Sequence, residues 1–174
     1  MPLLKAGTFE PPRLAPDFVL QDARGGELTL ARFRGKVVLL TFGFTNCPEA
    51  CPTTLATLAQ SRQALGAQQA DAVQVVYLTV DPARDDAQRI RTYLAASDPT
   101  FVGGTASPEA LAAVRQQYGA MAEKVPTAGG GYGMNHTTSV YLIDRQGRLR
   151  AMMPYGRTPQ DYLHDLRVLL AAPR

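Results

Sequence analysis

The segment Lys36-Val-Val-Leu-Leu-Thr-Phe-Gly-Phe44 is apolar at nearly every position and leads almost at once into Cys47-Pro-Glu-Ala-Cys51-Pro52. A strand without polar alternation is buried on both faces, so its sheet must be covered on both sides. The prolines then turn that strand into a helix. Pro48 pre-sets a first-turn φ and has no N–H to leave unpaired, and Pro52 still lies near enough to the helix start to be tolerated.

The rest of the chain alternates in the same way. Leu55, Leu58, Ala59 and Leu65 recur at helical spacing between Pro52 and about Gln68, with Arg62 interrupting the face, and Val73 to Val80 reads as a second buried strand. Asp85 with Gln88 makes a capping box for a helix through Ala96, and Ser107-Pro108 opens another helix ending near Gly119. Thr137 to Ile143 and Arg148 to Met153, joined by Asp-Arg-Gln-Gly, form a hairpin. Thr158-Pro159 caps a last helix with Tyr162, Leu163, Leu166, Leu169 and Leu170 in one stripe. Upstream, Asp17 to Leu20 and Glu27 to Leu30 flank an Arg-Gly-Gly turn. The order predicts an α/β, thioredoxin-like fold: a mixed central sheet flanked by helices, with an N-terminal β-hairpin. Residues 1–16, rich in proline, are expected to form an extended N-terminal arm and residues 17–174 a single domain.

Bulk properties exclude several classes. A chain of 174 residues with 45% hydrophobic content can bury one core without staples. The 18 Lys and Arg are scattered among 15 Asp and Glu, so no basic stripe marks a nucleic-acid reader. No run approaches the roughly 18 apolar residues of a membrane span, and the N-terminus lacks a signal peptide's charged and apolar regions. A secreted parent could still have lost a leader or anchor. Two cysteines are too few for a disulfide scaffold, and their four-residue spacing reads as a redox or metal site.

Cys47 arrives at the sheet's C-terminal edge and is expected to be the more exposed sulfur; Cys51 follows one helical turn later, so both can face one point. Two small apolar core residues would be the plain alternative. His136 precedes the strand expected beside the cysteine-bearing strand, where this fold ordinarily carries a cis-proline. Ala128-Gly-Gly-Gly-Tyr-Gly133, just upstream, predicts a mobile segment leading to His136. A lone loop histidine is otherwise a solvated residue, which is the expectation for His164 on the last helix. Two thiols and an imidazole form a soft donor set suited to Cu(I), or to Cu(II) with one further donor. Zinc would need a fourth ligand that nothing nearby supplies. Met134 is expected to be an ordinary apolar contact.

Three segments resemble the Sco/SenC family of copper-binding proteins. Phe42 through Thr53 reproduces F-G-F/Y-T-x-C-P-x-x-C-P-T; Thr79-Val-Asp81-Pro82-Ala-Arg84-Asp85 matches Thr-Val-Asp-Pro-x-Arg-Asp; and His136-Thr-Thr-Ser-Val-Tyr-Leu-Ile-Asp144 carries the histidine before a strand. The similarity spans about Pro16 to Ala171. The resemblance implies that Cys47, Cys51 and His136 bind copper, with Asp81 close by, although aspartate before proline is also a common turn former. It further implies assistance in assembling the dinuclear copper centre of cytochrome c oxidase subunit II, with that subunit or another copper chaperone as partner; the chain is expected to be a monomer. The native precursor would be membrane-anchored and extracytoplasmic. Asn135 stands where many members have aspartate, which removes that source of charge beside the imidazole.

The alternative is an enzyme, a thiol-disulfide reductase that keeps the copper-ligand cysteines of that subunit reduced, with Cys47 attacking and Cys51 resolving. A peroxidase of the same fold lacks an activating constellation around one cysteine.

Overall fold

A computed structural model describes residues 3–172. The outer ends of the expected arm and domain, at 1 and 174, lie outside the described residues. The strands are β1 (Gly7–Leu14), β2 (Val19–Asp22), β3 (Glu27–Thr29), β4 (Val37–Gly43), β5 (Val73–Thr79), β6 (Val102–Thr105), β7 (Ala122–Pro126), β8 (Tyr132–His136), β9 (Val140–Ile143) and β10 (Arg148–Met153). The helices are α1 (Ala50–Ala64), α2 (Ala67–Ala70), α3 (Ala87–Ala95), α4 (Pro108–Tyr118) and α5 (Pro159–Ala171).

Eight strands form one mixed sheet in the order β1-β10-β9-β4-β5-β6-β2-β3. At its centre β4, β5 and β6 run parallel, while β9 lies antiparallel to β4. Every residue of β4 and β5 is buried, as their mostly apolar sequences require, with Thr41, Gln74 and Thr79 the polar exceptions. Val37, Leu39, Val75 and Tyr77 face a layer that includes Leu55 and Leu58 of α1, Ile90 and Leu94 of α3, and Leu166 and Leu169 of α5. Val38, Leu40, Phe42, Val76 and Leu78 face the opposite side, with Leu111, Val114 and Tyr118 of α4 and with Phe18 and Phe33. Each such leucine contributes roughly 1.5–3 kcal/mol by leaving water. The fold is the thioredoxin-like α/β arrangement expected.

Residues 7–14 of the proline-bearing N-terminal stretch run along β10 as an edge strand, and the register shifts between Thr8 and Arg13. Pro11 and Pro12 fall in that gap and have no N–H to give to a ladder. Asp165, fully buried on α5, accepts the backbone N–H groups of Lys5 at 2.6 Å and Ala6 at 2.9 Å.

Four details differ from the sequence reading. The helix after β4 starts at Ala50, not at Pro48, because Cys47 N–H first closes a turn on the Phe44 carbonyl. It ends at Ala64, and Gly66 (φ 84°) separates it from the short α2. The cap of α3 is Asp86, whose carboxylate accepts Arg89 N–H at 2.8 Å; the Asp85 carboxylate is turned inward and engaged elsewhere. Finally β6 was hidden by its glycines. A Cβ at Gly103 would sit 2.2 Å from Ile90 Cγ2, and one at Gly104 2.5 Å from Leu28 Cδ2, so the strand omits side chains where helix and hairpin press close.

Candidate metal centre

Cys47 is held by a turn that the interior anchors. Its N–H bonds the Phe44 carbonyl at 3.1 Å. The Asp85 carboxylate, 1% exposed, accepts Thr45 N–H at 3.0 Å, Thr45 Oγ1–H at 2.6 Å and Thr79 Oγ1–H at 2.7 Å. Arg89 then clamps the turn from outside by donating to Thr45 Oγ1 and to Asn46 Oδ1. The cysteine loop is thus tied to the end of β5 and to the start of α3.

Cys51 lies in the first turn of α1, where helical N–H groups have no intrahelical partner. Its own N–H points to Cys47 Sγ at 3.4 Å. The two thiols differ sharply. Cys47 is partly exposed, whereas Cys51 is 6% exposed, and burial pushes its thiol well above the usual range. No disulfide joins them.

His136 is the last residue of β8, opposite Ala122 of β7 in a separate two-stranded ribbon. The mobile loop expected before it is therefore this ribbon's tip. Thr127 N–H bonds Gly131 O, Gly130 takes φ 83°, and Tyr132 already pairs with Pro126. The glycines are confined to the turn, while Gly133 extends opposite Val125.

The ribbon sets the imidazole edge-on to Phe44, with ring centroids 5.6 Å apart. Nδ1–H donates to the Thr137 carbonyl at 2.8 Å, which leaves the Nε2 lone pair to accept the Cys51 thiol proton, 3.7 Å from Sγ. Burial lowers the His136 pKa from its ordinary value, and the Thr137 bond opposes that only in part. A neutral imidazole with a fixed tautomer is the form that ligates metal.

The three donor atoms of Cys47, Cys51 and His136 all lie within 4.8 Å of one another. Donors held 2.0–2.3 Å from one ion stand about 3.5–4.0 Å apart, so a small closure would seat an ion among them. Two sulfurs and one nitrogen make a soft set that fits copper. Asp81 is not in this group. Its buried carboxylate accepts Tyr132 O–H at 2.9 Å and pairs with Arg84, while its carbonyl accepts Arg84 and Asp85 N–H in the turn after β5. Met134 packs on the apolar cluster beneath β8, and His164 pairs with Asp165 on α5.

Sequence reasoning overlooked Asp85 as the anchor of the cysteine loop, Phe44 as the ring packed on His136, and Tyr132 as the residue that ties the His136 ribbon to Asp81 and Arg84. Asp85 stood inside the Thr-Val-Asp-Pro-x-Arg-Asp segment, which was its signal. Tyr132 had none, since a single aromatic among glycines shows no periodicity.

Fold and site together define a thioredoxin-like domain in which a dithiol at a helix start is completed by an imidazole from a ribbon. The SCO1/SenC family profile matches residues 6–171. The mitochondrial SCO2 homolog of Mus musculus is 33% identical over 158 residues, covering 90% of this chain and 62% of that protein. The chain thus spans less than two thirds of that relative's length. ScoI of Bradyrhizobium japonicum, solved with copper bound, superposes with a TM-score of 0.82 at 37% identity, covering 90% of this chain and 99% of that one. Apo Sco1 from Thermus thermophilus gives a TM-score of 0.83 at 33% identity, over 98% and 99% of the two chains. The chain belongs to the SCO1/SenC family.

Proposed function

We propose that this protein is a copper metallochaperone in which Cys47, Cys51 and His136 hold one copper ion and pass it on by ligand exchange. The observation that carries the reading is the convergence of the three donor atoms within 4.8 Å. Membership of a family whose Bradyrhizobium member has been solved with copper bound supports the choice of metal. Copper is cargo here. The thiols must lose their protons to take it, so loading releases protons. Cys47, partly exposed, is the sulfur a recipient reaches first, and Cys51 and His136 hold the ion from the buried side.

The proposed recipient belongs to the copper-site proteins of respiratory oxidase assembly, a reading that family membership supports. The dinuclear copper centre of cytochrome c oxidase subunit II is the proposed destination, with another copper chaperone as the proposed source. By the same reading the domain works as a monomer outside the cytoplasmic membrane, anchored in its native precursor. No helix among the described residues is long and apolar enough to cross a membrane.

The asymmetry of the two thiols favours a second reading, reduction of the recipient's disulfide by the metal-free protein. Cys47 thiolate attacks one sulfur of the partner disulfide, and the other sulfur leaves as a thiolate. Cys51 then gives its proton to solvent or to His136 Nε2 and attacks Cys47. The second partner thiol departs, and the protein's dithiol is left oxidised to a disulfide. A Cu(I) competition titration of the wild type beside Cys47→Ala, Cys51→Ala and His136→Ala, with parallel reductase assays on an oxidised copper-site fragment, separates the two. The chaperone reading predicts that all three variants lose affinity. Reductase turnover that needs the cysteines alone, with His136→Ala binding copper like the wild type, would leave only the second reading.

A further inference from the structure

Among the described residues, the apolar attachment of the ribbon that carries His136 includes Ala122, Met134 and the His136 ring on Phe44. Residues of β7 and β8 are exposed or half-buried except His136 itself. One end of the ribbon is held where Thr137 N–H bonds the Met121 carbonyl at 3.0 Å and Met121 N–H bonds Thr137 Oγ1 at 2.9 Å. The other end is held at Tyr132. Alternation along a strand puts Tyr132, Met134 and His136 on one face, so whatever fixes Tyr132 bears on the ring four residues later.

Tyr132 meets the domain at three points. Its hydroxyl donates to Asp81 Oδ1 at 2.9 Å, and its carbonyl accepts Arg84 Nη1–H at 2.8 Å. Its ring lies against the Arg84 guanidinium, 3.8 Å from the ring centroid, with Lys124 Nζ 4.8 Å away. Arg84 closes the triangle by donating from Nε to Asp81. The fixed half of this cluster is rooted in the end of β5, since Asp81 is 2% exposed and its N–H bonds Thr79 Oγ1 at 2.9 Å. Thr79 Oγ1 also donates to the Asp85 carboxylate that anchors the cysteine loop. The sulfur side and the imidazole side of the site are thereby referenced to the same residue.

We propose that Asp81, Arg84 and Tyr132 form a clasp that positions His136 against Cys47 and Cys51, and so sets how long a bound ion is retained. The inference deepens the chaperone reading and rests on His136 as a ligand. The three are positioning residues: they act through the ribbon, not on the ion. An ion pair with an aromatic ring stacked on it can open and reclose at little cost to the core, because the residues of β7 and β8 that move with it are exposed or half-buried apart from His136. Opening would withdraw the nitrogen donor and leave copper on two sulfurs, the state from which a recipient's thiolates can take it.

Tyr132→Phe tests this with the smallest change, since it keeps the ring on Arg84 and removes only the hydroxyl donor. Release of Cu(I) to a chelator should become several-fold faster, because the hydroxyl's hydrogen bond to the Asp81 carboxylate is lost. Amide hydrogen exchange of residues 133–136 in the metal-free protein should rise by a similar factor. The backbone turn that holds Cys47 should keep its own exchange protection, because the Tyr132 hydroxyl touches neither Thr45 nor the Asp85 carboxylate that anchors that turn. In a His136→Ala background the same substitution should leave copper release unaltered, an outcome that a general loosening of the fold would not produce. Asp81→Asn should speed release in the same direction. Unchanged release and exchange in Tyr132→Phe would overturn the clasp, as would an equal acceleration without His136. Should His136→Ala alone leave copper affinity intact, the ligand assignment fails, and the exchange rates decide the clasp by themselves.

Discussion

Cys51 Sγ and His136 Nε2 stand 3.7 Å apart although they belong to different layers, one on the first turn of α1 and the other at the end of a ribbon outside the main sheet. The imidazole meets the sulfur with its unprotonated nitrogen because Nδ1–H is committed to the Thr137 carbonyl. Neither residue carries a charge easily in the metal-free protein, since burial raises the Cys51 thiol and lowers the His136 imidazole.

Those opposite shifts give the metal-free protein a pH profile with two flanks. Unfolded histidine takes up a proton near pH 6.5 that the buried imidazole resists, so stability should fall as pH drops through and below that value. Unfolded cysteine loses its proton near pH 8.5 while the buried Cys51 keeps its own, so stability should also fall as pH rises above that value. Thermal unfolding from pH 5 to 10 should therefore show a maximum near neutrality. His136→Ala should flatten only the acid flank and Cys51→Ala only the alkaline one.

Copper binding should follow a different course, because each thiol that loses a proton on loading makes the apparent affinity climb with pH. Below the thiol pKa values the slope approaches about one decade per pH unit for each proton released. A competition titration between pH 6 and 8 reads that slope directly. An affinity independent of pH would show that the thiols are not the donors.

Gly43, at the end of β4, should tolerate no side chain. A Cβ there would lie 2.8 Å from Tyr77 Cε2 and 2.9 Å from Cys51 Sγ, within a packed central strand. Gly43→Ala is expected to cost about 1–3 kcal/mol by overpacking and to weaken copper retention by displacing the Cys51 sulfur. Urea unfolding and copper titration of one preparation measure both effects.

The two adjacent aspartates should separate cleanly. Asp85→Ala strips a buried acceptor from Thr45 and Thr79, and is expected to cost about 2–4 kcal/mol and to loosen the cysteine loop, with copper affinity reduced. Asp86→Ala removes only the cap of α3 at Arg89 N–H, and is expected to cost about 1 kcal/mol without touching copper affinity. Equal effects on copper would contradict the division of labour drawn from the hydrogen bonds.

Residues whose chemistry is rare or whose pattern is long could be read before any coordinates. Cys47 and Cys51 are the only cysteines, and β4 is apolar at nearly every position before the flanking prolines, so the strand-to-helix placement of the sulfurs followed from pattern and punctuation. The ribbon was not legible, because Ala122-Glu-Lys-Val-Pro126 and Tyr132-Gly-Met-Asn-His136 bury too little to alternate. Local glycine content pointed instead to a mobile segment. Asp85 was misread because a buried carboxylate gathering hydroxyls looks, in sequence, like the capping residue beside it. Tyr132 reaches Asp81 only through tertiary structure, across 51 positions of chain.

Copper K-edge X-ray absorption of the Cu(I)-loaded protein tests the convergence of the three donors most directly. The wild type should show two sulfurs at about 2.3 Å and one nitrogen at about 2.0 Å, and His136→Ala should lose the nitrogen while keeping both sulfurs. A coordination shell of sulfur alone in the wild type, unchanged in His136→Ala, would contradict it.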